Sequence, residues 1–299
     1  MADAVIETRD LRKRFGDVAA VRGLDLRVEP GSICGFLGRN GAGKTTTMKM
    51  LLGMTRPDAG SASVLGLDAA DPAASVDIRA RVAFISDEKD LFNAFTVAQM
   101  IRFTSRFYPG WRRDLEERFT RQFALPLKQR VQTLSRGMRT RLALLLALSR
   151  GAEILMLDEP TSGLDPAAAE EVLQALVHQV AQNGVTVFFS SHQIAEVEQI
   201  ADAIVIIDQG RRVVGGALDD LRREFQRVVI VFDGDAPAHT FTAPGVRRIS
   251  RQGRVLSMLA GGNVEAVVAE ARALGPVSVD VSPVTLKDVF LESVQTEAR

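Results

Sequence analysis

The stretch Gly38-Arg39-Asn40-Gly41-Ala42-Gly43-Lys44-Thr45 constrains this chain more than any other, because it has the form Gly, four residues, Gly-Lys-Thr. Glycines in that spacing let the backbone fold back until consecutive N–H groups point at one anion. Lys44 adds a point charge and the Thr45 hydroxyl a Mg²⁺ ligand. The flanks suit such a loop: Ile33-Cys34-Gly35-Phe36-Leu37 reads as a short buried strand, and Thr45 to Leu52 as a helix whose dipole adds to the anion site. The pattern implies a nucleotide site on a strand–turn–helix unit. A Gly-rich turn with no ligand would leave Lys44-Thr45 unexplained.

At 299 residues the chain has room for one large α/β domain and a smaller one. Lys plus Arg equals Asp plus Glu at 37 each, so any attraction to nucleic acid or membrane must be local. The first residues, Met1 to Glu7, have neither a basic start nor an apolar run, and are not read as a secretory signal. Leu142 to Leu148 is the most conspicuous apolar run, far short of the ~20 residues of a spanning helix. A soluble protein is therefore expected unless a partner holds it at a membrane. Cys34 is the only cysteine, which excludes a disulfide within the chain and suits a reducing cytoplasm. Its expected role is filler in a buried strand.

From Val5 to Val28 the pattern predicts strand, turn, strand, with Leu24, Leu26 and Val28 alternating with polar residues. Phe15, beside Gly16, is either a base-stacking aromatic or a strand-end core residue. Arg56 to Gly60 reads as a turn, and Ala62 to Gly66 and Val82 to Ile85 as strands, the second ending in the charged loop Ser86 to Asp90. Phe92, Phe95, Phe103, Phe107, Tyr108 and Trp111 then crowd together, with the only Tyr and Trp of the chain among them. They form helix core, as the spacing of Phe103 and Phe107 suggests, or a groove for a partner. Arg102 to Arg141 holds eleven Lys or Arg against three acids. That excess faces lipid head groups, nucleic acid or only solvent.

Ser135 is the expected N-cap of a helix reaching about Ser149, and so a second anion site. Ile154 to Leu157 is an apolar strand ending in Asp158-Glu159, which sets two carboxylates at the C-terminal edge of a parallel sheet. Asp158 would reach Mg²⁺, partly through water, and Glu159 would polarise an attacking water. Asp165 and Pro166 open a helix ending near Gly184, in which His178 is structural. Val185 to Phe189 delivers Ser190-Ser191-His192 to the same edge, where His192 can hydrogen-bond a γ-phosphate. Ile204 to Gly210 is a last strand and turn. Strands alternating with helices over this length predict a parallel sheet covered on both faces. From about Ala217 the texture becomes a small α+β appendage: strands near Arg227–Phe232, Val246–Ile249, Val255–Leu259 and Val277–Val281, helices near Asn263–Leu274 and Thr285–Gln295, and His239 without partners.

The phosphate loop, the loop at Asp87, Leu134-Ser135-Arg136-Gly137-Met138, Asp158-Glu159-Pro160, Ser162-Gly163-Leu164-Asp165 and His192 follow one another in an order and spacing that resembles the ATP-binding cassette ATPases over about Val5 to Gly216. The resemblance implies a P-loop NTPase (RecA-like) core with an antiparallel β subdomain and an inserted helical subdomain at about 92–150. Residues 1–216 would form the nucleotide-binding domain and 217–299 the accessory one. It implies ATP and Mg²⁺ as cofactors, Phe15 as the base-stacking aromatic, and Gly38, Arg39, Asn40, Gly41, Ala42, Gly43, Lys44, Thr45 and Thr46 as the Walker A loop. Thr45, Asp158 and Asp87 would face the metal, Asp87 through a water. Glu159 would be the catalytic carboxylate, His192 the switch histidine, and Ser162 to Asp165 the D-loop. Ser135 and Gly137 would cover the γ-phosphate held by Lys44 of a second copy, in a head-to-tail homodimer or paired cassette.

Three positions depart from the family pattern: Asp87 where Gln is usual, Arg136 where Gly is commonest, and Met138 where Gln is. The Arg-Gly-Met form and the tail Thr285 to Leu291 look like the exporter-type subgroup that works with separately encoded membrane subunits. The implied protein is an ATPase peripheral at the inner face of the cell membrane, docked through its aromatic and basic helical region on an integral membrane permease, with no nucleic acid expected. The alternative is a soluble cassette ATPase acting on ribosomes or nucleic acid, which would usually carry two cassettes or a long coiled-coil insert. A kinase or GTPase is disfavoured, since no Asn-Lys-x-Asp motif is present.

Overall fold

In the computed structural model, which describes residues 4–295, the chain opens as a hairpin of β1 (Ile6–Phe15) and β2 (Val18–Val28). It then enters β3 (Ile33–Gly38), buried along its whole length, and α1 (Lys44–Leu51). β4 (Ala59–Val64) pairs with β1, and β5 (Leu67–Asp68) extends the edge, giving the antiparallel sheet β2-β1-β4-β5. Because β4 starts at Ala59, only Arg56 to Asp58 of the expected turn lie outside the strand.

α2 (Pro72–Arg81), capped by Asp71, leads into β6 (Val82–Ile85). Three helices come before the next strand: α3 (Val97–Ser105), α4 (Arg113–Gln122) and α5 (Arg136–Leu148). Thr96 and Gln99 close a reciprocal capping box at the start of α3, which fixes where the inserted helices begin. The run Leu142 to Leu148 is wholly buried, so its apolarity serves the core.

β7 (Ile154–Asp158), α6 (Pro166–Asn183), β8 (Thr186–Ser191), α7 (Ile194–Ile200), β9 (Ala203–Asp208) and β10 (Arg211–Ala217) complete a six-stranded sheet in the order β10-β9-β3-β8-β7-β6. β9, β3, β8, β7 and β6 pair in parallel. β3, β7 and β8 expose no residue, as strands covered on both faces must. Phe36 and Phe188 stack at 5.1 Å between adjacent strands of this core. Cys34 lies on β3, and burial pushes its thiol up to about 12. The sheet's C-terminal edge collects Gly38, Asp158 and Ser191 at the ends of β3, β7 and β8, so the loops after these strands share one rim.

Phe103 and Phe107 are not core as their spacing suggested: α3 ends at Ser105, and both rings are exposed in an edge-to-face chain with Phe92 and Phe95.

The chain divides into two compact units at Gly215/Gly216. The second holds α8 (Leu218–Glu224), β11 (Phe225–Val231), β12 (Val246–Gln252), β13 (Val255–Gly261), α9 (Val264–Ala273), β14 (Ser278–Pro283) and α10 (Leu286–Gln295), with the sheet ordered β12-β13-β11-β14. Its own core gathers Val228, Ile230, Leu256, Met258 and Val267.

His239 is not without a partner. Its Nε2 lies 2.9 Å from Glu270 Oε1 on α9, and its ring meets Phe241 edge-on. The Thr242 and Ala243 amides donate to the same carboxylate. The Thr242 amide first, then His239, holds the Glu270 carboxyl down to about 2, from an ordinary 4.5. A depressed carboxyl contributes its stability above the unfolded value and loses it as pH falls through the folded one. Protection of the Thr242 and Ala243 amides from hydrogen exchange should therefore weaken as pH drops from 4.5 toward 2. In Glu270→Gln that dependence should vanish; protection constant across the window in the native chain would refute the assignment.

Candidate functional site

The phosphate loop folds as its composition requires. Gly43 sits at φ 105, and a Cβ there would lie 2.4 Å from the Ala20 carbonyl of β2, so this position admits only glycine. As N-cap of α1 it brings no side chain to the helix end, and the first-turn N–H groups of Lys44, Thr45 and Thr46 face outward without a capping acceptor. They open on a cavity of about 290 Å³ lined by Ala20, Arg39, Asn40, Gly41, Ala42, Gly43, Lys44, Thr45, Thr46, Asp87, Asp158 and Glu159. Lys44 is buried, and its Nζ donates to the Gly38 carbonyl at 2.7 Å and lies 3.6 Å from Glu159 Oε1.

Two carboxylates meet that loop from β7. Asp158 is 2% exposed, and its two oxygens accept from Thr45 Oγ1 and Ser190 Oγ at 2.6 Å each. Glu159 takes a left-handed backbone, φ 51, and its amide donates to Ser190 Oγ at 3.0 Å. That turn aims the Glu159 side chain at His192, whose Nδ1 is 2.7 Å from Oε2. The donor set fits nucleotide and Mg²⁺: hard oxygens from Thr45 and Asp158 lie at the rim of a cavity whose other wall is main-chain N–H and an ammonium.

Other expected residues lie elsewhere. Phe15 ends the β1–β2 hairpin 53% exposed, so it is not a core residue, and Lys13 Nζ lies 5.4 Å from its ring centroid. Ala20 of the same hairpin lines the cavity, and Phe15 is not among its lining residues. Ser135 caps α5, accepting from the Met138 amide at 3.2 Å, and Gly137 packs toward Leu164. Neither lines the cavity of its own chain. The histidine inside α6, His178, pairs with Arg118.

Two residues the sequence did not single out join the site. Ser190 links the Asp158 carboxylate to the Glu159 main-chain amide, and only its place two residues before His192 hinted at it. Lys89, one of four charged residues in its loop, turns inward and is buried. Desolvation pushes its ammonium's pKa down, while the Asp87 and Asp158 carboxylates oppose that. A groove of about 590 Å³ runs from this loop past Met100 and Thr104 of α3 and Tyr108 beyond its end to Ala143, Leu146 and Ala147 of α5 and Arg150. Arg150 lies over the Tyr108 ring at 3.8 Å.

The family model of the ABC transporter matches residues 21–162. Over 99% of its length the chain is 34% identical to Nod factor export ATP-binding protein I of Ralstonia nicotianae, covering 95% of that protein. It is 35% identical to daunorubicin resistance ATP-binding protein DrrA3 of Streptomyces coeruleorubidus, over 98% of this chain and 95% of that one. Among solved structures, an ATP-binding subunit of an ABC transporter superposes with TM-score 0.66 at 29% identity, covering 73% of this chain and 92% of that one. A dimeric cassette in a post-hydrolysis state bound to ADP and Pi superposes with TM-score 0.65 at 20% identity, covering 71% of this chain and 98% of that one, a likeness of fold. The chain belongs to the ATP-binding subunits of ABC transporters, and it is an ATP hydrolase of that class.

Gly43→Ala should abolish retention on immobilised ATP while the far-UV circular dichroism stays native, since the added methyl meets a main-chain carbonyl. Undiminished retention would show that the loop tolerates a side chain there.

Proposed function

We propose that this chain powers a separately encoded integral membrane permease of exporter type, by closing on ATP at a seam shared with a second copy or a paired cassette. The observation that carries the reading is the single cluster in which Glu159 stands between Lys44 and His192, while Asp158 stands against Thr45.

In this reading Lys44 leaves the Gly38 carbonyl for the β- and γ-phosphates, alongside the N–H groups of Gly38 to Thr46. Glu159 accepts the proton of the attacking water. His192 orients the Glu159 carboxylate through Nδ1 and presents its other ring nitrogen to the γ-phosphate. Thr45, Asp158 and Asp87 would hold Mg²⁺, which when bound would neutralise charge building on the phosphates. Phe15 stacks on the base, its half-exposed ring supporting that role over a core one. Ser135 and Gly137 stand at the start of a helix and do not line their own chain's cavity, which supports their service to the γ-phosphate of the partner copy.

Among the described residues no helix is long and apolar enough to cross a membrane. The exposed Phe92, Phe103 and Phe107 rings and the groove beside Met100 and Tyr108 supply a docking surface on the inserted helices. The work then happens at the inner face of the cell membrane. Export is supported by the names of the relatives, which concern export of Nod factor and resistance to daunorubicin.

Glu159→Gln should keep ATP binding, lower turnover by about 100-fold or more and accumulate a nucleotide-bound dimer in size-exclusion chromatography. Full hydrolysis by that variant would refute the base assignment. The tagged chain should also recover an integral membrane protein from detergent-solubilised membranes of its source cells, and recovery of none would overturn the permease reading.

A further inference from the structure

Lys89 has no part in the roles above, yet its placement is the least expected in the molecule. Its side chain is 5% exposed. The residue itself is left-handed, φ 51, at the end of a turn closed by its amide on the Ser86 carbonyl. A buried ammonium persists only where acceptors surround it. Here they are main-chain carbonyls: Asp87 at 3.1 Å, Glu159 at 3.2 Å and Asp158 at 3.5 Å. Its ion-pair partner is the Asp87 carboxylate at 3.8 Å.

Two of those carbonyls belong to the residues that carry the chemistry. A non-glycine residue in the left-handed region is strained and endures only where its surroundings over-determine it. Glu159 is such a residue, and both of its peptide groups are held: its N–H donates to Ser190 Oγ, and its C=O accepts from Lys89 Nζ and from the Ser162 amide. The far end of the same loop is tied as well. Arg136 Nη2 donates to Ser162 Oγ at 3.0 Å and lies 3.8 Å from the Asp87 carboxylate that Lys89 faces. At Gly163 a Cβ would come within 2.6 Å of Arg136 Nε, so the missing side chain makes room for that guanidinium. The loop from Glu159 to Gly163 is thus fastened at its start by Lys89 and at its end by Arg136, and both cations meet at Asp87.

We propose that Lys89 is a positioning residue for Glu159, its ammonium fixing the left-handed turn that presents the carboxylate, with Arg136 closing the other end of the loop on the same Asp87. The proposal rests on the reading of Glu159 as general base. It also makes Asp87 and Arg136, two departures from the family pattern, parts of one assembly.

The test uses the full chain and four variants: Lys89→Met, Lys89→Arg, Glu159→Gln and the Lys89→Met/Glu159→Gln double variant. Lys89→Met should lower kcat about tenfold or more while KM for MgATP stays within about twofold, the signature of a lost transition-state arrangement. Lys89→Arg, which keeps the charge, should recover part of the rate. In the Glu159→Gln background the Lys89→Met change should add no further loss, because its effect runs through the carboxylate already removed. Wild-type kcat in Lys89→Met, a raised KM at unchanged kcat, or a loss that multiplies in the double variant would each overturn the proposal. Should Lys89→Met fail to fold, Arg136→Ala gives the same reading. A lower kcat that disappears in the Glu159→Gln background supports the clamp, and an unchanged kcat overturns it. Full hydrolysis by Glu159→Gln alone would instead sink the base assignment, so the two failures are told apart.

Discussion

A carboxylate keeps its charge inside a protein only if hydrogen-bond donors replace the water it lost, and at Asp158 that requirement ties the nucleotide site to the fold. Its donors come from Thr45 at the start of α1 and Ser190 near the end of β8, while the carboxylate itself ends β7. Three elements distant in sequence therefore agree on one pair of oxygens. Leaving such a buried group short of a donor costs about 1–3 kcal/mol, enough to favour one register of loop, helix and strand over its alternatives. In the proposed function, the Thr45 hydroxyl that satisfies Asp158 here would also serve a metal ion. Site and core are thus two uses of one contact.

The parallel order β9-β3-β8-β7-β6 delivers the remaining groups to the same rim without help from distant segments. β7 and β8 run parallel and end at this rim, so Asp158, Glu159 and His192 emerge on one side. What topology does not decide is the direction of the Glu159 side chain. That depends on a left-handed residue held by Ser190 and Lys89, an arrangement stiff enough to aim a carboxylate and local enough to be disturbed by its neighbours.

Much of this was legible beforehand. The phosphate loop, the strand ending in Asp158-Glu159 and the strand carrying His192 are short-range patterns, and burial along a strand or a glycine at a forced φ is written in consecutive residues. The Arg-Gly-Met helix start was legible too, down to its Ser135 cap. Lys89 was not, because a lysine in a charged loop reads as solvated, and two of the three carbonyls that receive it, those of Asp158 and Glu159, are 69 and 70 residues away. His239 failed for the same reason: its partner Glu270 is 31 residues on. Phe103 and Phe107 misled differently. Their spacing fits one helix face, but the helix stops between them and the rings face outward.

Cys34 adds a practical consequence. The thiol sits inside a central strand with its ionisation pushed up to about 12, so almost none of it is thiolate near neutrality and alkylating reagents have no path to it. The native chain is chemically silent toward maleimides while folded. A single cysteine installed on its surface would be the lone reactive handle, ready for a fluorophore or spin label with no prior removal of native sulfur.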